Sequence, residues 1–328
     1  MIVIGYEIIF LLISFVYSRK LTPLESQQLR WTCGMSLDFN YSTQPNDEQM
    51  QRVMPLSYGG HRFNPMKYSW VVTISIRDEG NHCSGALISS RHVLTAAHCV
   101  IKTPREVYTP QECKRKGYQN TRQLSAPIEE FVILIGSHCE EATECPSFRT
   151  RKVRSFHVPN DSDECTGMND IAILELEKDV PISVAIPICL PRANTLLAWN
   201  LNAAGSGASA PFDLASSRPY QVVKVRLVAT SKNKTIITTA PKGVGICDGD
   251  SGGPLFQTDR YGRSTIVGVM SIGNTCYENY RKRKTRAIPL DEFTDVRQNL
   301  DWICNITGIC HRRNLHPLPS PPWWQRVF

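Results

Sequence analysis

The sequence predicts an all-β fold, and three observations carry that prediction. Short β-branched and aliphatic runs recur from Trp70 onward, at 70–76, 85–88, 131–136, 171–176, 220–229, 235–239 and 266–272. Clusters of Gly, Pro, Asn and Ser separate them, the punctuation of many short strands joined by turns. Only one stretch repeats apolar residues at helical spacing, Val296, Leu300 and Ile303, so one helix is expected near the end.

The segments flanking these strands read differently. Residues 8–16 form a short apolar core followed by Val16, Tyr17 and Ser18, with small Ser18 at the cleavage position of a secretory signal. The run is too short to span a bilayer, and no later stretch approaches the roughly 20 apolar residues a membrane helix needs. No Lys or Arg precedes the core, which leaves an uncleaved anchor as the alternative. Residues 19–56 are polar, lack sustained periodicity and hold one cysteine, Cys33, so an irregular segment is expected. Beyond Cys310 the chain is proline-rich and reads as a loose extended tail, with a recognition segment as the alternative.

Composition bounds the function. With 41% hydrophobic and 20% charged residues over 328 positions, disordered, collagen-like and coiled-coil classes are excluded. A net charge of +7 is a solvated surface's ordinary surplus, so nucleic acid is not an expected partner. Twelve cysteines, an even and high count, imply disulfides and an oxidising, extracellular compartment. Sequons at Asn40, Asn160, Asn233 and Asn305 agree with secretion and mark candidate glycosylation sites. A zinc site is the alternative use of the cysteines, but no paired Cys-x-x-Cys exists, so neither metal nor cofactor is expected.

Three segments carry chemistry: 94–99 (Leu-Thr-Ala-Ala-His-Cys), 169–174 (Asn-Asp-Ile-Ala-Ile-Leu) and 249–255 (Gly-Asp-Ser-Gly-Gly-Pro-Leu). Singly, each has a structural reading: a packed histidine, a turn-capping aspartate, a tight glycine loop. Together, in the order His98, Asp170, Ser251, they supply an acyl-transfer site. A serine hydroxyl needs a neighbouring base to remove its proton, and imidazole suits that task near neutral pH. A buried carboxylate then orients the ring and stabilises imidazolium as it forms. The glycines let the backbone turn so that the N–H groups of Gly249 and Ser251 face the developing oxyanion.

These segments resemble the chymotrypsin/trypsin family of serine endopeptidases, with the likeness running from Ser57 to Cys304. The residue order separates it from α/β-hydrolases and subtilisins. The resemblance implies two antiparallel Greek-key β-barrels with a C-terminal helix, the site lying between them. It divides the chain into a signal peptide (1–18), a propeptide-like segment (19–56), a peptidase domain (57–310) and a tail (311–328). It also implies disulfides Cys83–Cys99, Cys247–Cys276 and Cys33–Cys189, with Cys304 and Cys310 closing a small loop. Cys113, Cys139, Cys145 and Cys165 allow three pairings, and the sequence does not choose among them.

The chain departs from the family in four places. Family zymogens are cut after a basic residue to free an amine that pairs with the aspartate before the serine, here Asp250. Alignment puts Ser57 at the new N-terminus, preceded by Met54, Pro55 and Leu56 rather than Arg or Lys. Ser206 stands where a tryptophan is usual between Gly205 and Gly207, and Ile272 where an aromatic is usual. No cysteine lies between Cys189 and Cys247, so two further family bridges are missing.

The likeness places Gly245 on the floor of the substrate pocket, with Ser271, Gly273 and Asp291 around its wall. A carboxylate at Asp291, with none at Gly245, implies cleavage after basic or mixed large residues. An outward-facing Asp291 is the alternative. The run 281–284 (Arg-Lys-Arg-Lys) reads as a polyanion-binding loop or as a solvated, nick-prone one. The function expected is a secreted endopeptidase made as a precursor and acting on protein or peptide substrates. An activating protease and protease inhibitors are further partners, with no stable membrane insertion after signal cleavage. The missing basic cut site leaves a catalytically silent binding or regulatory protein on the same scaffold as the alternative.

Overall fold

The computed structural model describes residues 19–37, 61–64, 66–77, 82–102, 123–136, 145–163, 168–207, 220–231, 235–241, 246–247, 249–273 and 290–310. The apolar leader, the segment around Ser57, Cys113, Cys139, Cys165, Gly245, Cys276, the basic run 281–284 and the tail lie outside these residues. No described helix is long and apolar enough to cross a membrane.

The first ordered element is one the sequence reading did not anticipate, a helix α1 (Pro23–Thr32) within the segment expected to be irregular. Its start has a local cause. The Thr22 hydroxyl accepts from the Glu25 amide while the Glu25 carboxylate accepts from the Thr22 amide, and Pro23 occupies the first turn, where a missing N–H costs nothing. Cys33 ends it, its amide donating to the Leu29 carbonyl and its sulfur bonded to Cys189.

A short strand β1 (His61–Arg62) precedes the first barrel. The barrel consists of β2 (Val71–Ile76), β3 (His82–Ser89), β4 (His92–Thr95), β7 (Phe131–Ile135), β8 (Thr150–His157) and β9 (Ala172–Leu176). It closes in the order β2-β3-β4-β9-β8-β7, every pair antiparallel. A two-stranded excursion, β5 (Ile101–Lys102) with β6 (Gln123–Leu124), leaves it after His98. Strands β2, β4, β7 and β9 are buried along their whole length, which explains why β2, β7 and β9 read as near-continuous apolar runs; β4, His-Val-Leu-Thr, did not.

The second barrel consists of β10 (Asn200–Gly205), β11 (Gln221–Thr230), β12 (Ile236–Pro241), β13 (Pro254–Thr258), β14 (Ser264–Ile272) and β15 (Asp291–Asp295). Its ladder runs β11-β10-β13-β14-β15-β12 and closes by β11 pairing with β12, while β1 adds to the outer edge of β11. Leu201, Val225, Ile237, Leu255, Val267 and Phe293 fill its interior.

The seam between barrels is aromatic: Tyr68 packs edge-on against Phe256 at 5.2 Å between centroids, and Trp70 against Phe256 at 6.1 Å. Tyr220, buried at the entry to β11, donates its hydroxyl to the Leu134 carbonyl and accepts from Thr73, tying the second barrel to β2 and β7. A 3₁₀ turn (Val296–Gln298) leads into the helix α2 (Leu300–Thr307), so the expected helix begins four residues later than its apolar spacing suggests. The all-β class, the two antiparallel barrels and the C-terminal helix are those expected from the sequence.

Candidate active site

His98 sits on a single 3₁₀ turn (Ala97–Cys99) that follows β4, fixed on one side by the Cys83–Cys99 disulfide. Asp170 lies at the mouth of β9, just after Asn169, which takes a positive φ of 50°. The two meet across the end of the first barrel. The Asp170 carboxylate holds His98 twice: Oδ1 accepts from the His98 amide at 3.0 Å, and Oδ2 lies 2.7 Å from Nδ1. One acid therefore sets both the backbone and the ring of the histidine, leaving Nε2 as the nitrogen available for proton exchange.

The second barrel completes that hold. Ser271, on β14, donates its hydroxyl to Asp170 Oδ2 at 2.6 Å, and Thr294, on β15, donates to the Asp170 carbonyl at 2.9 Å. Asp170 is 4% exposed. Burial pushes its carboxyl upward, but the His98 charge and the three hydrogen bonds to its oxygens outweigh that and hold it below the ordinary carboxylate range. It is an anion positioned to stabilise imidazolium.

Ser251 arrives on the loop before β13, and contacts with the first barrel seat that loop. The Ser84 amide donates to the Ser251 carbonyl at 2.7 Å, and the Ser84 hydroxyl donates to the Gly249 carbonyl at 2.8 Å. Gly252, at φ +78°, comes so close that a Cβ there would lie 2.1 Å from Thr95 Oγ1 and 2.4 Å from the Ser84 carbonyl. The serine loop is thus packed against β3 and the end of β4, three residues before His98. Gly249 has φ +95°, a conformation that L side chains avoid.

Ser84 and Thr294 were not singled out by sequence reasoning. Nothing local marks either one, since each matters through a partner more than 100 positions away. Ser84 also explains one departure noted above. Its hydroxyl accepts from the Ser206 amide at 2.9 Å and lies 3.3 Å from the Ser206 hydroxyl, so a buried serine pair occupies the place between Gly205 and Gly207.

Asp250 is held by two backbone amides. Its Oδ1 accepts from the Gly207 amide and its Oδ2 from the Cys247 amide, both at 2.9 Å. Beside it lies a small recess of about 10 Å³ lined by Ala203, Gly205, Gln221, Ile246 and Met270.

Of the pocket residues, Ser271 engages Asp170, while Gly273 and Asp291 lie together. Asp291 is fully buried on β15, and a Cβ on Gly273 would sit 3.4 Å from its Oδ1. The carboxylate therefore faces inward, toward the strand edge at Gly273. Cys247 is disulfide-bonded, as is Cys145. Cys83, His98 and Cys99 bring three metal-type ligand atoms within 4.8 Å, but the disulfide consumes both sulfurs and leaves no thiolate for an ion.

Comparison with known proteins agrees with this geometry. A family model described as Trypsin matches residues 57–303. The chain is 28% identical to phenoloxidase-activating factor 3 of Holotrichia diomphalia, over 83% of this chain and 78% of that protein. It is 26% identical to melanization protease 1 of Drosophila melanogaster (77% and 70%) and 28% identical to the proclotting enzyme of Tachypleus tridentatus (75% and 64%). With three quarters of its length matched by one family model and with both barrels in place, the chain belongs to the trypsin family and is a serine-type endopeptidase.

Proposed function

We propose that the chain is a secreted protease precursor in which His98, Asp170 and Ser251 act together on protein substrates. Ser251 Oγ attacks the scissile carbonyl carbon as His98 Nε2 takes its proton. The same nitrogen returns the proton to the leaving amine, and water then hydrolyses the acyl-enzyme by the reverse sequence. The Gly249 and Ser251 amides hold the oxyanion. The observation that carries this reading is the double hold of Asp170 on His98, because a carboxylate binding both backbone and ring nitrogens serves to fix one tautomer.

Two finer roles follow from the same site. Asp250, its carboxylate held by the Gly207 and Cys247 amides, is the partner for a newly freed N-terminal amine, such as that of Ser57 after a cut, whose charge would pair with it. Buried Asp291 beside Gly273 suits a Lys or Arg side chain, as in a protein precursor cleaved within an activation cascade; the relatives' names, an activating factor and a proclotting enzyme, point the same way.

A fluorophosphonate probe tests the core claim. Covalent labelling of the processed protein, abolished by Ser251→Ala, is expected; a chain that stays unlabelled after every processing treatment would instead be a silent scaffold. On a peptide library, Asp291→Ala should lower kcat/KM for Lys and Arg at the cleaved position by roughly 10–100-fold, the scale of a desolvated charge contact. An unchanged preference would remove Asp291 from the pocket.

A further inference from the structure

At the end of the β4–β9 ladder opposite the one that leads to His98, where it pairs with His92, Glu175 presents an unusual demand. Its side chain is 2% exposed, yet its cationic neighbours sit at the edge of reach: Arg154 Nε at 3.8 Å, on a side chain 38% exposed, and His157 Nε2 at 3.9 Å. Burial lowers the His157 imidazole below its ordinary value, the Lys20 charge adding to this and Glu175 opposing it, so at neutral pH this ring brings Glu175 no charge. The Ser155 hydroxyl is 3.5 Å from Oε2. The closest donor is the backbone nitrogen of Arg19, 3.1 Å from Oε1. A peptide N–H there carries no charge, so the buried carboxylate faces one full cation, the half-exposed Arg154, at the limit of ion-pair distance.

Arg19 is also the residue that follows Ser18, the cleavage position read from the leader. We propose that leader removal between Ser18 and Arg19 creates the cation that this site is built to hold, with the Arg19 α-ammonium docked on the Glu175 carboxylate. Hydrolysis by a signal peptidase consumes one water, leaves a carboxylate on Ser18 and frees an amine on Arg19, which takes up a proton. The proposal rests on secretion as proposed above, and concerns a second site remote from the peptidase chemistry.

The surroundings fix that amine's position. The Arg19 guanidinium donates to the carbonyls of Leu176 (3.1 Å) and Glu177 (2.9 Å) and pairs with Asp179. Asp179 also pairs with Arg91, which reaches Glu25 on α1. Two residues on, the Leu21 amide donates to the Thr307 carbonyl at 2.7 Å. That approach needs Gly308, where a Cβ would meet the Leu21 carbonyl at 2.4 Å. With residue 19 anchored by its side chain and residue 21 by its backbone, the nitrogen of residue 19 has one place to be. An ammonium there has three donors, enough for Oε1 with two to spare, where the peptide bond offers one.

The test has two arms on the secreted full chain. N-terminal sequencing should return Arg19. Acylation with an amine-reactive ester near pH 7, where an α-amine reacts ahead of lysines, should label Arg19 at least about tenfold more slowly in the folded protein than in urea. Glu175→Gln, or one glycine inserted before Arg19, should abolish that protection, and the insertion keeps the test open should Glu175→Gln fail to fold. A chain that starts at Arg19 but labels at the unfolded rate overturns the amine site while leaving secretion intact. A chain that starts at another residue overturns the docking and leaves secretion intact, whereas a chain that stays in the expressing cells with its leader attached overturns both.

Discussion

Asp170 receives donors from both barrels, and the Ser271 hydroxyl is the one that reaches Oδ2, the oxygen shared with His98 Nδ1. Removing it by Ser271→Ala leaves the two His98 contacts and the Thr294 contact intact, so the histidine keeps its tautomer. What is lost is one hydrogen bond to a buried anion, worth about 1.5–3 kcal/mol. If the proposed roles hold, kcat should fall roughly 10- to 100-fold with KM little changed, measured on any cleaved peptide.

A second residue-scale prediction concerns His92. It is fully buried on β4, with Nδ1 2.7 Å from the Ser89 hydroxyl. Burial, assisted by the Arg91 charge, lowers its pKa to about 3. The folded state therefore refuses a proton that the unfolded chain accepts below about 6.5. Stability contributed by neutral His92 is complete above that value and is lost progressively as pH falls toward 3, by at most about 1.4 kcal/mol per pH unit. Other groups also titrate in this window, so the difference between proteins is the readout. His92→Phe should show a shallower decline in urea midpoint between pH 6 and 4 than the parent, whatever its stability at pH 7.

At the scale of elements, legibility followed the kind of contact each element makes. Strands β2, β7 and β9 are buried end to end and announced themselves as apolar runs. Strand β8 was not foreseen, because it reads Thr-Arg-Lys-Val-Arg-Ser-Phe-His and buries only Val153 fully. Strand β10 was missed for another reason: its core side chains are Leu201 and two alanines, too small for a strong signal. Helix α1 hid because it docks through ends, ions and a disulfide rather than an apolar stripe; Ser26 is its buried residue. The Thr22–Glu25 box and Pro23 were the visible signal. The residue types of the site were legible because chemistry demands them; Ser84 and Thr294 were not, since a lone hydroxyl becomes informative only once folding supplies its partner.

The serine loop shows the same dependence in reverse, an element whose shape is set by a neighbour. Gly252 has a left-handed backbone and no room for a methyl group, with Thr95 and Ser84 backbone or side-chain atoms in the way. Gly252→Ala must move either the loop or β3. Activity should drop by more than about 100-fold, because misplacing a nucleophile by about 1 Å has that scale of cost. Circular dichroism should stay β-rich, since both barrels close without this residue.

For the whole molecule, the Cys33–Cys189 disulfide decides how residues 19–37 belong to the rest. It closes a span of 156 residues and is backed by noncovalent contacts: the Gly34 carbonyl accepts from the Ser264 amide, the Gly34 amide donates to the Pro187 carbonyl, and the Arg263 guanidinium donates to the carbonyls of Arg30 and Trp31. In an intact chain this bond stabilises mainly by restricting the unfolded ensemble, and for so long a loop the expected contribution is about 2–5 kcal/mol. The paired change Cys33→Ser with Cys189→Ser should lower unfolding free energy by that amount in the uncut protein. A cut between residues 38 and 56 opens the loop and changes the argument. The disulfide then joins two chains, and it acts by setting their effective concentration. The N-terminal piece of cut parent protein should therefore stay attached on dilution and appear as a separate mass only after reduction. In the cut Ser/Ser variant it should dissociate with a concentration dependence, held only by noncovalent contacts: those of Arg19 and Leu21, Arg91–Glu25, Arg263 and the Gly34 backbone. Size-exclusion chromatography with mass detection over a hundredfold dilution separates the two, and a variant that stays whole at every concentration would show that these contacts suffice without the covalent bond.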